Sequence, residues 1–250
     1  MRILLLNPNT SEAMTVRMAA VARASVPPGV EIETSTAPRG VPYIATRAEA
    51  QIAGAIALET IAARSRDVDA VVIAAFGDPG VGAARELFDL PVVGLAEAAV
   101  HAAALLGERF VIVTFTPLMS RWYLDCVEGT GLGARCAGVL TPPRQALDVE
   151  RAAETLGGEL ASLARRAVSE HGADVVIPGG APLAGLAGTL QGTVPAILVD
   201  PVAAAVGQAA LLARLASPEA FRNRSARSAP KPSTGLDPTL AAVLADERER

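Results

Sequence analysis

Short runs of Val, Ile, Leu and Ala, each only a few residues long, alternate along this chain with longer Ala-rich stretches that carry charges at helical spacing. The short runs predict strands at residues 2–6, 30–34, 70–74, 92–95, 110–114, 134–139, 175–177 and 196–199. The longer stretches predict helices at 11–25, 47–64, 80–87, 97–106, 117–128, 149–171, 184–190 and 201–215. Strands that alternate with helices imply parallel sheets with helices on both faces. The strands are nearly all apolar, as strands buried on both faces are.

The pattern also repeats. Asp69-Ala70-Val71-Val72-Ile73-Ala74-Ala75 matches Asp174-Val175-Val176-Ile177-Pro178-Gly179-Gly180. Pro91-Val92-Val93-Gly94-Leu95 matches Pro195-Ala196-Ile197-Leu198-Val199, and each leads into an Ala-rich helix. The two starts correspond as well, Asn7-Pro8-Asn9-Thr10 to Thr114-Phe115-Thr116-Pro117. Two α/β units of one design explain this more simply than one long sheet. The expected organisation is a first lobe of residues 1–98 with 201–216 and a second of 99–200. A tail at 217–250 is expected to be extended through its Ser, Pro, Arg and Lys, with a short helix over 239–247 begun by Asp237-Pro238.

Composition narrows the function classes. Hydrophobic residues make up 51% and charged residues 19% of the 250, which describes a globular chain. The net charge of −4 argues against nucleic-acid or anionic-membrane partners. Residues 3–6 are too short for a signal-peptide apolar region, and the uncharged run 175–199 is broken by Pro178, Pro182 and Pro195. A cytoplasmic location is expected. Two cysteines, Cys126 and Cys136, make no disulfide framework, and His101 and His171 alone make a zinc site improbable. The expected partners are a small-molecule substrate and copies of the chain itself as a homo-oligomer; no cofactor or metal is expected.

Ligands of parallel α/β sheets bind beyond the carboxyl ends of the strands. Here those ends carry Asn9, Thr10 and Ser11, then Ala75, Phe76, Gly77 and Asp78, then Thr114 and Thr116, then Gly180, Ala181 and Pro182. Such loops expose backbone N–H groups that suit a carboxylate or carbonyl oxygen. Each also has a plain structural reading, since Asn9, Thr10 and Ser11 are ordinary helix caps and Asp78 before Pro79 is a good helix start.

The stretches Asn7-Pro8-Asn9-Thr10-Ser11, Ala75-Phe76-Gly77-Asp78-Pro79-Gly80, Glu97-Ala98-Ala99 and Ala181-Pro182-Leu183-Ala184-Gly185-Leu186 together resemble the aspartate/glutamate/hydantoin racemase superfamily, in its hydantoin and allantoin racemase branch. The resemblance runs over about residues 1–215. It implies two pseudo-symmetric lobes and a cofactor-independent enzyme in which two cysteines face each other across the substrate's chiral carbon. It places those cysteines at Ala75 and Gly180, neither of which can carry a proton. It also implies that Tyr43 lies near the substrate. Cys126 and Cys136 are not at strand ends, so they do not stand in for the missing thiols.

The candidate acid–base set is therefore Asp78, Thr114 and Thr116, with Asp78 as the base. The substrate-binding set is Asn9, Thr10, Tyr43, Ala75, Phe76, Gly77, Gly180, Ala181 and Pro182. Two side chains deleted from facing positions are expected to leave extra volume between the loops. Three functions compete: hydrolase or lyase chemistry on a hydantoin-like, ureide or carboxylate substrate, a non-catalytic binder of such ligands, and a racemase with other bases.

Overall fold

A computed structural model describes residues 1–143, 148–222 and 229–246. The first sheet contains β1 (Arg2–Asn7), β2 (Glu31–Thr36), β3 (Ala70–Ile73) and β4 (Val92–Gly94), in the order β2-β1-β3-β4. The second contains β5 (Phe110–Val113), β6 (Cys136–Leu140), β7 (Val175–Pro178) and β8 (Ile197–Leu198), in the order β6-β5-β7-β8. Every pairing is parallel. The repeat in the sequence is thus a repeat in space: two four-stranded sheets with the same strand order, flanked by helices.

Eleven helices are described: α1 (Glu12–Ser25), α2 (Arg47–Arg64), α3 (Val81–Leu87), α4 (Leu95–Leu106), α5 (Ser120–Gly129), α6 (Ala152–Thr155), α7 (Gly157–His171), α8 (Leu186–Leu190), α9 (Pro201–Leu215), α10 (Pro218–Arg222) and α11 (Pro238–Leu244). The alternating strand periodicity sorts side chains between layers. Ile3 and Leu5 of β1, with Phe110 and Ile112 of β5, face a shared core between the sheets, where α1, α4, α5 and α9 pack. Leu4 and Leu6 face an outer core with residues of α2 and α3, and Val111 and Val113 face another with α7. After β8 the chain returns to the first sheet, where α9 packs on α1, α4, β3 and β4.

Four sequence expectations change. The helix expected over 149–171 is two helices, α6 and α7, parted where Gly157-Gly158 follows Leu156; glycine is a poor helix former. Residues 117–119 and 181–183 are 3₁₀ turns with a proline in the first turn, so α5 starts at Ser120 and α8 at Leu186. The segment after 217, expected to be extended, begins with the short helix α10. The closing helix runs Pro238–Leu244 with Asp237 as its cap, and its Leu240 is buried in the outer core of the first sheet; Glu247, at the end of the expected helix, lies outside the described residues.

Candidate functional site

The loops after β1, β2, β3 and β7 and the start of α5 converge at the carboxyl ends of the strands. They enclose a cavity of about 20 Å³ lined by Asn9, Tyr43, Ile44, Ala75, Phe76, Met119, Trp122, Tyr123, Gly180 and Ala181. Six residues named from the sequence meet here: Asn9, Tyr43, Ala75, Phe76, Gly180 and Ala181. Ile44, Met119, Trp122 and Tyr123 are additions. The signal for the last three in the sequence was the aromatic pair inside the helix that follows Thr116-Pro117, at the place where α1 follows Asn9-Thr10 in the first repeat.

Extra volume is not what the missing side chains leave. Aromatic rings fill the space: Tyr43 stacks on Phe115 with centroids 5.8 Å apart, and Phe76 on Tyr123 at 4.6 Å. Gly180 has φ of +119°, a region that disfavours any L side chain. A Cβ built there would lie 3.0 Å from the Phe115 ring and 3.3 Å from the Tyr123 hydroxyl. The rings have taken the place that a side chain at 180 would occupy.

Of the cavity-lining hydroxyls, Tyr43 OH is buried with no hydrogen-bond partner. Behind the lining, Thr114 Oγ1 is buried without a well-formed hydrogen bond, in loose contact with the Tyr123 hydroxyl. Thr114 follows β5, and the Gly179 amide donates to the carbonyl of the residue before it, Val113, at 2.8 Å. Unmade hydrogen bonds of this kind are costly and mark a place where a ligand oxygen or water belongs. Burial raises the Tyr43 phenol above its ordinary range, with the Glu49 charge adding to it, so the group stays protonated and acts as a donor. Burial does the same to Tyr123.

The other polar candidates are committed elsewhere. Asn9 Oδ1 accepts from Asn7 Nδ2 and the Ser11 amide, both at 2.9 Å, which ties the Asn-Pro-Asn turn to itself. The cap of α1 is Ser11, whose hydroxyl accepts from the Met14 amide. Thr10 does not line the cavity; its amide donates to the Val41 carbonyl at 3.0 Å and so anchors the loop that carries Tyr43. Thr116 Oγ1 caps the 3₁₀ turn by accepting from the Leu118 amide. The Pro182 carbonyl accepts from Arg17 of α1 at 3.1 Å.

Asp78 stands apart from the cavity. Its two carboxylate oxygens accept from the Ala96 and Glu97 amides, each at 2.9 Å, at the start of α4. The carboxylate comes so close that a Cβ on Gly94 would lie 2.3 Å from its Cγ. The sequence pointed to a cap on the helix that follows Pro79. That helix, α3, has Gly80 as its N-cap and no side-chain cap, and the helix start that Asp78 caps is that of α4. Burial pushes the Asp78 carboxyl up to about 7, opposed by the two amide hydrogen bonds and the Arg85 charge. With Gly77, Asp78 lines a separate groove of about 400 Å³ against α2.

Neither cysteine lines the cavity, although Cys126 sits one turn of α5 from Tyr123. Cys126 and Cys136 are unpaired and half-buried, and burial raises both thiols, Cys126 to about 12 with the Asp78 charge adding to it. Among the described residues no group of three or more His, Cys, Asp or Glu could hold a metal ion, and no helix is long and apolar enough to cross a membrane.

This geometry has known counterparts. The chain is 34% identical to the hydantoin racemase of Paenarthrobacter aurescens over 93% of its own length and 98% of that protein. The allantoin racemase structure from Klebsiella pneumoniae is 36% identical and superposes with a TM-score of 0.81 over 91% of this chain and 96% of that one. The allantoin racemase structure from Pseudomonas fluorescens, 29% identical, also gives 0.81, over 92% and 100%. The family model for Asp/Glu/hydantoin racemases matches residues 3–209. The chain belongs to the Asp/Glu/hydantoin racemase family and is a racemase-like, isomerase-type enzyme.

Proposed function

We propose that the chain binds a small hydantoin-like ring, ureide or carboxylate between the loops after β3 and β7, and acts on it by hydrolase- or lyase-type chemistry rather than two-thiol racemisation. The reading includes no cofactor and a cytoplasmic location. It takes residues 1–98 with 201–216 as one lobe and 99–200 as the other. A homo-oligomer belongs to it too, supported by the exposed apolar side chains of Leu105 on α4 and Leu215 on α9.

One observation carries the reading. Positions 75 and 180 of the cavity lining hold Ala and Gly, and beside them the buried Tyr43 OH has no partner while Tyr123 offers a second hydroxyl. A thiol pair moves protons on and off carbon. Neutral hydroxyls with backbone N–H groups instead polarise a carbonyl and hold the charge that develops on its oxygen. Asp78, with both oxygens on α4, fits a positioning role: it fixes the loop that carries Ala75, Phe76 and Gly77.

The test is incubation with 5-substituted hydantoins, allantoin and small dicarboxylates in heavy water, followed by NMR and chiral chromatography. Ring-opened or cleaved product without α-exchange is expected, and Tyr43→Phe lowers its rate at least tenfold, about 1.4 kcal/mol. Fast α-exchange with inversion of configuration would contradict the reading.

A further inference from the structure

The cavity between the loops, at about 20 Å³, has room for little more than a water molecule. A ligand pocket is larger, on the order of 300 Å³ or more. The arrangement described is therefore a closed one, and some wall must move to admit a ligand. The groove of about 400 Å³ lies on the other side of Gly77 and Asp78, bounded by Arg47, Gln51 and Gly54 of α2. Among the described residues, Trp122 alone lines both spaces.

The indole is held by contacts that can be exchanged. It packs against Gly77, where a Cβ would come within 2.5 Å of its Cζ2. It also packs, half-buried, on a small apolar cluster of Ile44, Ala50 and Ala53 with Ala75 beside it. The Trp122 side chain donates to no partner across this wall that would have to be replaced by another. The helix that carries it, α5, is tied to α2 by an ion pair between Asp125 and Arg47, and Arg121 reaches the same carboxylate at 3.1 Å. These charges are exposed, so the tie is weak.

We propose that Trp122 is the gate of the site. When the indole leaves Gly77, the groove and the cavity become one channel, and a small planar ligand passes from the α2 side over Gly77 to Ala75 and Gly180. The inference rests on the proposed site and adds its entrance. The glycine at 77 keeps the floor of the channel free of side chains, which suits a flat ring and selects against ligands bulky on both faces. The Asp125–Arg47 pair sets how often the gate opens. Trp122 touches the path rather than the reacting atoms, so it is a positioning residue.

The test needs no substrate, so it stands or falls separately from the proposed chemistry. Ala75→Cys puts a thiol on the cavity wall, and the rate of its alkylation by iodoacetamide reads access to the cavity. Mass spectrometry of the peptide containing position 75 keeps Cys126 and Cys136 out of the signal. Alkylation is expected to be slow in Ala75→Cys alone, at least tenfold faster with Trp122→Ala added, and about two- to threefold faster with Asp125→Asn added. Trp122→Phe retains an aromatic packing surface and is expected to fall between; with Asp125→Asn it carries the test if the alanine variant fails to fold. Equal rates in Ala75→Cys with and without these changes, or fast alkylation in Ala75→Cys alone, would overturn the gate.

Discussion

The two repeats have the same strand order but wire their loops to their helices in opposite directions. In the first, a carboxylate on the loop after β3, Asp78, reaches forward to the amides of Ala96 and Glu97 at the start of α4. In the second, the carboxylate belongs to the start of the helix itself: Asp200 caps α9 through the Val202 and Ala203 amides and reaches back to the Gly185 amide at 2.7 Å. Either way an acidic group sits at a helix N-terminus and pins the loop that borders the site, an arrangement the helix dipole favours. The loops after the first strands differ more. Asn7, Asn9, Ser11 and Thr15 satisfy one another in the first repeat. In the second, Thr114 Oγ1 makes no well-formed hydrogen bond and has only a loose contact with the Tyr123 hydroxyl. The first repeat thus supplies a rigid frame, and the second supplies the unsatisfied hydroxyl that a ligand would complete.

The largest effect is expected where that frame is tightest. Gly94→Ala puts a methyl into the Asp78 carboxylate and must break its two bonds to α4, at a cost of about 3–5 kcal/mol. Leu198, on the last strand of the second sheet, sits where a side chain is already accommodated, and Leu198→Ala is expected to cost less than about 1.5 kcal/mol, as befits a half-exposed two-residue edge strand. Urea unfolding of the two variants measures the difference, and equal losses would mean that Asp78 does not bind the frame as described.

Next is a pH effect. The folded carboxyl of Asp78 sits at about 7 against 3.8 ordinarily, so the folded chain holds that proton more tightly than the unfolded chain. The stability this contributes is complete below about pH 4 and is lost as pH rises through about 7, at up to about 1.4 kcal/mol per pH unit. Burial raises Asp200 as well, with the same sign. Melting curves from pH 4 to 8 should fall less steeply for Asp78→Asn than for the unaltered chain; parallel slopes would assign the pH dependence to other groups.

A smaller loss is expected from Gly180→Ala, which combines a φ of +119° with ring contacts, at about 1–2 kcal/mol. Calorimetric melting checks it. A gain instead would show that the second loop relaxes to accept a side chain there. The smallest change in stability, with the opposite sign, belongs to Thr114→Val. Removing a buried hydroxyl that makes no well-formed hydrogen bond should leave the protein as stable or up to about 1 kcal/mol more stable, while lowering turnover of the proposed substrate at least tenfold. Loss of stability would indicate that the hydroxyl is satisfied in solution by an ordered water.

The sequence by itself determined the two-lobed parallel α/β fold. Apolar runs of four to six residues such as Ile3-Leu4-Leu5-Leu6 and Ala70-Val71-Val72-Ile73 can hardly be anything but strands buried on both faces, and their recurrence after Asp69 and Asp174 announced the repeat. It also determined which loops meet, because the ends of parallel strands converge on one edge whatever the side chains are. What only the tertiary structure decided was the direction in which each polar group points. Asp78 reads as a base or a local cap, yet its carboxylate bonds to amides 18 and 19 residues further on, a partnership no local spacing encodes. The removal of side chains at 75 and 180 reads as empty space, yet at 180 the rings of Phe115 and Tyr123, from a segment distant along the chain, come in to fill it. Local pattern fixes elements because backbone hydrogen bonding and burial act over a few residues, whereas the occupancy of a site is settled by close packing among segments that meet only once the chain has folded.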